Sequence, residues 1–306
     1  MSFRRPTKEY RGGMEPPEDA TPTPTRASLP LWKRLLRMLA VGYALWCVTL
    51  FALEPRLVYL GDQAGPPLSE QAIASIEGLE RLWVEQDDGL ATECWILRAK
   101  SERSRGLVAF LHGNGELIDH ALSDAREWNS RGFDVVLPEY RGYGRTAGSP
   151  SQGAIVADAL KAIDAAETRL RPASVIVHGR SLGSGVAAQI AASRPDRIAA
   201  LVLESPFESI ASFAWSYGVP PLIVRNPYRT DEVLPRLNAP ILLLASRDDE
   251  IVPFAHAERL AALAPTATLV ELRGTHNSGL AASAEYTRAI DALVASLSDP
   301  QPARQK

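Results

Sequence analysis

Ser181 sits in Gly179-Arg180-Ser181-Leu182-Gly183, directly after the β-branched run Val175-Ile176-Val177 and directly before a small-residue segment of helical character. A strand that turns at once into a helix forces its central residue into a strained backbone, and side chains at 179 and 183 would clash across the turn. Strand, Gly-x-Ser-x-Gly and helix together describe a nucleophile elbow, which presents a serine Oγ at a helix N-terminus where free N–H groups can stabilise an oxyanion. To attack a carbonyl carbon, a serine needs a base and an acid that orients the base. Candidates stand downstream: Asp248 and Asp249 after the apolar run 241–245, and His276 after 268–272 in a turn marked by Gly274. A group at the C-terminal end of a parallel strand faces the crevice where ligands bind. The order Ser, Asp, His points to acyl transfer through a covalent intermediate, with either aspartate able to serve as the acid.

The elements that must hold these residues alternate along the chain. Apolar strand patterns fall at 107–111, 134–137, 174–177, 200–203, 241–245 and 268–272, with helical periodicity clearest at 154–170 and 256–263. That alternation predicts a parallel sheet covered on both faces. Upstream, 79–86 and 91–97 read as paired strands around Asp87-Asp88-Gly89. No internal repeat is visible. Between about 206 and 237, where a crossover helix belongs, the chain is instead rich in aromatics and prolines. So long an apolar insertion predicts a small cap after the sixth strand.

Composition excludes several classes. With 306 residues the chain is long enough for one large α/β domain, and its net charge of −3 gives no electrostatic reason to expect nucleic acid. The two cysteines, Cys47 and Cys94, form no C-x-x-C pair, so neither a disulfide framework nor a metal site is expected. Residues 1–30 carry Arg, Lys, Glu, Pro and Thr and read as a disordered tail, and 300–306 read as a short C-terminal tail. The segment 31–54 predicts a transmembrane anchor ahead of a domain spanning 55–299. Its charge-free run, Met38 to Leu53, is slightly short of the ~20 residues that span a bilayer, and Trp32 and the stems of Arg34 and Arg37 can extend it. A cleaved signal peptide would need a shorter basic region and an Ala-x-Ala site, and a buried core helix is the plain alternative. Arg26, Lys33, Arg34 and Arg37 precede the run while only Arg56 follows closely. The positive-inside rule then places the N-terminus in the cytoplasm and the bulk of the chain across the membrane.

Five blocks in order resemble the α/β-hydrolase superfamily, in particular its membrane-anchored serine hydrolases, the branch related to lysophospholipid and monoacylglycerol lipases and to depalmitoylases. They are His112-Gly113-Asn114-Gly115, Tyr140-Arg141-Gly142-Tyr143-Gly144, Gly179-Arg180-Ser181-Leu182-Gly183, Asp249-Glu250-Ile251-Val252-Pro253 and Gly274-Thr275-His276-Asn277. The resemblance implies Ser181 as nucleophile, His276 as base and then acid, and Asp249 as the residue that orients His276. It favours Asp249 over Asp248 because the family's acid is followed by two residues and then Val-Pro. It places the oxyanion hole at the N–H groups of Asn114 and Leu182. Two departures stand out: Thr146 where Ser or Gly is common, and Glu116, whose carboxylate beside a developing oxyanion is unfavourable unless it points away.

The remaining histidines read as structural: His112 and His178 inside, His120 and His256 on helical segments. Arg141 and Tyr143 read as loop supports, and Arg180 as a candidate for an anionic head group. Gly142-x-Gly144-x-x-Ala147 and Gly183-x-Gly185-x-x-Ala188 fit a dinucleotide fingerprint formally, but neither opens the first strand-helix unit and the second lies inside its helix. The expected protein is a serine hydrolase cleaving a carboxylic ester or thioester of a small molecule or lipid, with no cofactor or metal. In the cap, Phe213, Trp215, Leu222 and Ile223 are expected to line a pocket for an acyl chain. The alternative is a catalytically silent module of the same fold that binds a lipid or a partner protein.

Overall fold

The computed structural model describes residues 30–278, apart from Glu102, and 283–298. Both expected tails, 1–30 and 300–306, lie outside these residues save for Pro30. The chain divides into two compact units, one ending at Trp46 and the other beginning at Cys47.

Helix α1 (Leu31–Val58) is long and apolar enough to cross a membrane, with an 18-residue window of mean hydropathy 1.8 and none of that window buried. It continues past Glu54-Pro55, where the sequence suggests a stop. Proline removes the N–H that would bond the carbonyl of Phe51, yet Tyr59 N–H still reaches Pro55 O at 2.9 Å. The turn after the proline is also held from outside: Asn114 Nδ2 donates to Val58 O at 2.7 Å, and Leu60 N–H donates to Asn114 Oδ1 at 2.8 Å. These tertiary bonds override the local stop signal.

The second unit is built on an eight-stranded sheet of β1 (Leu79–Glu85), β2 (Ala91–Leu97), β3 (Leu107–Leu111), β4 (Asp134–Pro138), β5 (Val175–Arg180), β6 (Ala200–Glu204), β7 (Ile241–Ser246) and β8 (Ala267–Leu272), in the order β1-β2-β4-β3-β5-β6-β7-β8. The β1–β2 and β2–β4 pairs are antiparallel and every other pair is parallel. The other α-helices among the described residues are α2 (Glu70–Ala74), α3 (Leu122–Ser130), α4 (Gln152–Leu170), α5 (Leu182–Ser193), α6 (Thr230–Val233), α7 (Ala255–Leu263) and α8 (Ala284–Ser298).

Strand side chains alternate between faces with period two, and the core divides accordingly. Ala109, Val177, Leu201 and Leu243 meet Ile155 and Ile163 of α4 and Val186 and Ile190 of α5 on one face. Val108, Ile176, Val202 and Leu242 meet Trp128 of α3 and Tyr286 and Ile290 of α8 on the other. Burial on both faces explains why these strands read as continuous apolar runs. Between Ser205 and β7, short 3-10 turns at Ile210–Tyr217, Pro221–Ile223 and Leu234–Arg236 flank the single turn of α6. Pro220, Pro221, Pro227 and Pro235 break any longer helix here.

Candidate active site

β5 lies in the middle of the sheet between β3 and β6, and its C-terminal end turns straight into α5 at Ser181. Ser181 holds φ 51° and ψ −118°, a backbone that L residues adopt only when the surroundings enforce it. The flanking glycines are what permit the turn. A Cβ on Gly179 would lie 2.0 Å from Gly183 O, and one on Gly183 would lie 2.1 Å from Leu111 O. Ser181 N–H donates to Glu204 O at 2.8 Å, which ties the turn to the neighbouring strand.

His276 arrives from the loop after β8. Its Nε2 lies 3.0 Å from Ser181 Oγ, and its Nδ1 lies 2.7 Å from Asp249 Oδ2. The second oxygen of Asp249 accepts from Ile251 N–H at 2.9 Å and Val252 N–H at 2.7 Å, a turn of the chain around its own carboxylate. Burial pushes the Asp249 carboxyl up, but the bonds from His276 and from these two N–H groups outweigh it and hold the group below its ordinary range. Glu250 accepts from the backbone N–H of His276 at 3.1 Å, fixing the loop from its other side. Asp248 is exposed and lies outside this cluster, its N–H donating to Ser246 Oγ at 3.1 Å.

Asn114 and Leu182 border the same cavity as Ser181. The Asn114 side chain is held at both ends of its amide: besides its bonds to Val58 and Leu60, Oδ1 accepts from Tyr143 OH at 2.8 Å. Glu116, whose charge was the concern, accepts from Gly113 N–H at 2.9 Å and pairs with Arg180 at 3.3 Å. Arg180 is engaged further by Asp124 at 3.1 Å. It is therefore a buttress of the elbow, with its charge already answered. Beneath the loop, His112 Nε2 meets Glu139 Oε1 at 2.9 Å and its ring stacks on Tyr140. Burial opposes protonation of His112, but the adjacent Glu139 carboxylate outweighs it and holds the imidazole pKa above its ordinary value.

The other singled-out residues serve the frame. His178 accepts from Trp128 Nε1, His120 accepts from Leu117 N–H, and His256 Nδ1 meets Glu208. Arg141 grips Asp158 through two bonds of 2.6 Å.

A cavity of about 660 Å³ opens over Ser181, within the size range of small-ligand sites. Phe213 and Ile223 line it; Trp215 and Leu222 do not. Trp215 is 65% exposed and Leu222 85% exposed, so both are corrected to outward-facing cap residues. The reason is the three-residue period of a 3-10 turn. Ile210 and Phe213 fall on one face and both border the cavity, whereas Trp215, two residues on from Phe213, is rotated away. Leu222 and Ile223 likewise diverge because they are adjacent. Sequence reasoning missed a different wall altogether: Leu50, Phe51, Glu54, Leu57 and Val58 of α1 border the cavity too. The signal was Glu54, a lone carboxylate closing an apolar run.

A mostly parallel sheet with a strained serine at the turn out of its middle strand is the architecture of an α/β hydrolase. The family model described as serine aminopeptidase, S33 matches residues 102–226. The alpha/beta hydrolase domain-containing protein WAV2 of Arabidopsis thaliana is 30% identical over 249 residues, covering 72% of this chain and 80% of that protein. The lysophosphatidylserine lipase ABHD12 of Macaca fascicularis is 29% identical over 212 residues, or 62% of this chain and 50% of that protein. Among solved structures, Est1E from Butyrivibrio proteoclasticus superposes with a TM-score of 0.59 at 17% identity, over 71% of this chain and 97% of that one. The Paleococcus ferrophilus monoacylglycerol lipase gives 0.53 at 22% identity, over 67% and 98%. The chain belongs to the α/β-hydrolase superfamily and is a hydrolase.

Proposed function

We propose that this protein is a membrane-anchored serine hydrolase that cleaves a carboxylic ester or thioester, acyl-lipid-like in character, through an acyl-enzyme. The observation that carries the reading is the continuous contact from Ser181 Oγ through His276 to Asp249, at 3.0 and 2.7 Å. His276 Nε2 takes the Ser181 proton as Oγ attacks the carbonyl carbon, and Asp249 holds the imidazole in the tautomer that accepts it. The N–H groups of Asn114 and Leu182 receive the oxyanion. His276 then protonates the departing alcohol or thiol, leaving the acyl group on Ser181. Water, deprotonated by His276, releases the acid and restores the serine.

The apolar share of the cavity lining and the lipase relatives support a lipid ester. A peptide with a free amino terminus would need an unpaired carboxylate in the cavity. Of those lining it, Glu116 pairs with Arg180, and Glu54 accepts from Asn226 at 2.8 Å. A silent binding module has no use for a strained serine backed by an imidazole and a carboxylate.

The test is labelling by a fluorophosphonate, which reacts with an activated serine. Wild-type protein is expected to label at Ser181. Asp249→Asn should slow labelling by about 10⁴-fold, because the amide stabilises the wrong imidazole tautomer. Asp248→Asn should change it less than threefold; a larger effect of Asp248→Asn than of Asp249→Asn would reverse the assignment of the acid.

For the anchor, the helix composition and the basic residues before Met38 support an N-terminus in the cytoplasm and a catalytic domain outside it. A reporter active only outside the cytoplasm, fused to the C-terminus, is expected to be active. Activity of a cytoplasm-only reporter there would invert the topology.

A further inference from the structure

We infer that Leu50, Phe51 and Leu57, on the last turns of α1, form the acyl-binding wall of the cavity, so that the helix read as an anchor is also a specificity element. The inference rests on the hydrolase reading above and names where its acyl chain lies. Leu50, Phe51 and Leu57 border the same cavity as Ser181 and His276, together with Phe213 and Ile223 of the cap. An acyl chain attached to Ser181 thus has apolar surface from both segments.

This wall is docked by a dedicated set of polar contacts. Glu54 is buried in an otherwise apolar stretch, which is costly for a carboxylate unless its oxygens are hydrogen-bonded. Among the described residues, one residue of the cap supplies all the hydrogen bonds of this carboxylate: Oε1 accepts from Asn226 N–H at 2.9 Å and from Nδ2 at 3.0 Å, and Oε2 accepts from Nδ2 at 2.8 Å. Arg225 adds its charge 3.5 Å from Glu54 Oε2 and stands over the Phe51 ring, 4.7 Å from the centroid. Tyr59 OH meets Tyr228 OH at 3.2 Å one turn further on. A helix serving only as a tether has no need of a carboxylate placed to grip the cap.

The same segment also touches the other end of the site. Val58 O and Leu60 N–H bind the side chain of Asn114, the residue whose N–H is assigned to the oxyanion hole. The helix end therefore lies against both the chain-binding region and the loop at the reacting carbonyl.

The experiment uses the full chain in detergent micelles and measures kcat/KM for p-nitrophenyl acetate and p-nitrophenyl octanoate on one preparation. The ratio of the two cancels the fraction of protein that has folded, so a partly folded variant still reports. Each methylene that the wall buries is worth roughly fourfold. Phe51→Ala is expected to lower the octanoate-to-acetate ratio by about tenfold, and Glu54→Ala, which releases the helix end, should lower it as well. Leu53→Ala, on the same helix but outside the cavity, should leave the ratio within twofold. If acetate is hydrolysed and Phe51→Ala leaves the ratio unmoved, or Leu53→Ala lowers it equally, the wall is refuted while the hydrolase reading stands. If wild type hydrolyses neither ester and takes no fluorophosphonate label, both fall together.

Discussion

Ser181→Ala is expected to lower kcat on p-nitrophenyl octanoate by about 10⁴-fold or more, His276→Ala by a similar factor, and the double variant by little beyond either one. On the proposed mechanism Ser181, His276 and Asp249 work as a unit. An imidazole 3.0 Å from Oγ has nothing to deprotonate once that oxygen is gone, and Oγ without the imidazole keeps its proton. The Ala side chain occupies the same backbone, so the φ of 51° at position 181 is neither relieved nor worsened. The melting temperature of Ser181→Ala should therefore stay within about 3 °C of wild type. Retention of a tenth or more of the activity in a folded Ser181→Ala protein would remove the serine from the mechanism. A collapse of stability would mean that the loss in rate reports unfolding.

A large loss of stability is expected of Gly183→Ala. The new Cβ would stand 2.1 Å from Leu111 O and 2.6 Å from His112 O. Neither atom can yield easily, because Leu111 ends β3, a strand paired on both sides by β4 and β5. Relief requires α5 to move away from the sheet, carrying the Ser181 turn with it. A cost of about 3 kcal/mol or more follows, which in a domain of this size lowers the melting temperature by roughly 10 °C. Gly153→Ala provides the contrast: no atom lies within 4 Å of its Cβ position, and alanine in the first turn of α4 should hold or raise stability by up to ~1 kcal/mol. Thermal unfolding of the two variants side by side checks the argument. Equal melting temperatures would show that the elbow tolerates a side chain at 183.

What the sequence by itself determined is whatever depends on neighbours along the chain. Fully buried parallel strands must be apolar throughout, so 107–111, 200–203 and 241–245 announce themselves and fall within the strands of the fold. Gly179 is legible for the same reason, since the clash it avoids lies within the local turn, whereas the clash that Gly183 avoids is against Leu111 of the adjacent strand and is seen only in the fold. The contacts around Ser181, Asp249 and His276 join three strand ends, and the order of blocks already placed those residues at strand ends.

Only the tertiary structure decided the rest, wherever a residue's partner is remote or its element lacks a regular period. Glu54 reads as the end of an anchor until Asn226, 172 residues away, is seen to grip its carboxylate. Arg180 reads as a free cation until Glu116 and Asp124 are seen beside it. Trp215 and Phe213 are equally apolar, and composition cannot say which turns inward. In a proline-broken run of 3-10 turns, no long period accumulates to fix a face, so the choice rests on what each turn packs against. The same holds for α1 beyond Pro55: the helix continues because Asn114 binds Val58 and Leu60, a contact that exists only once the sheet has assembled and brought its loops to one edge.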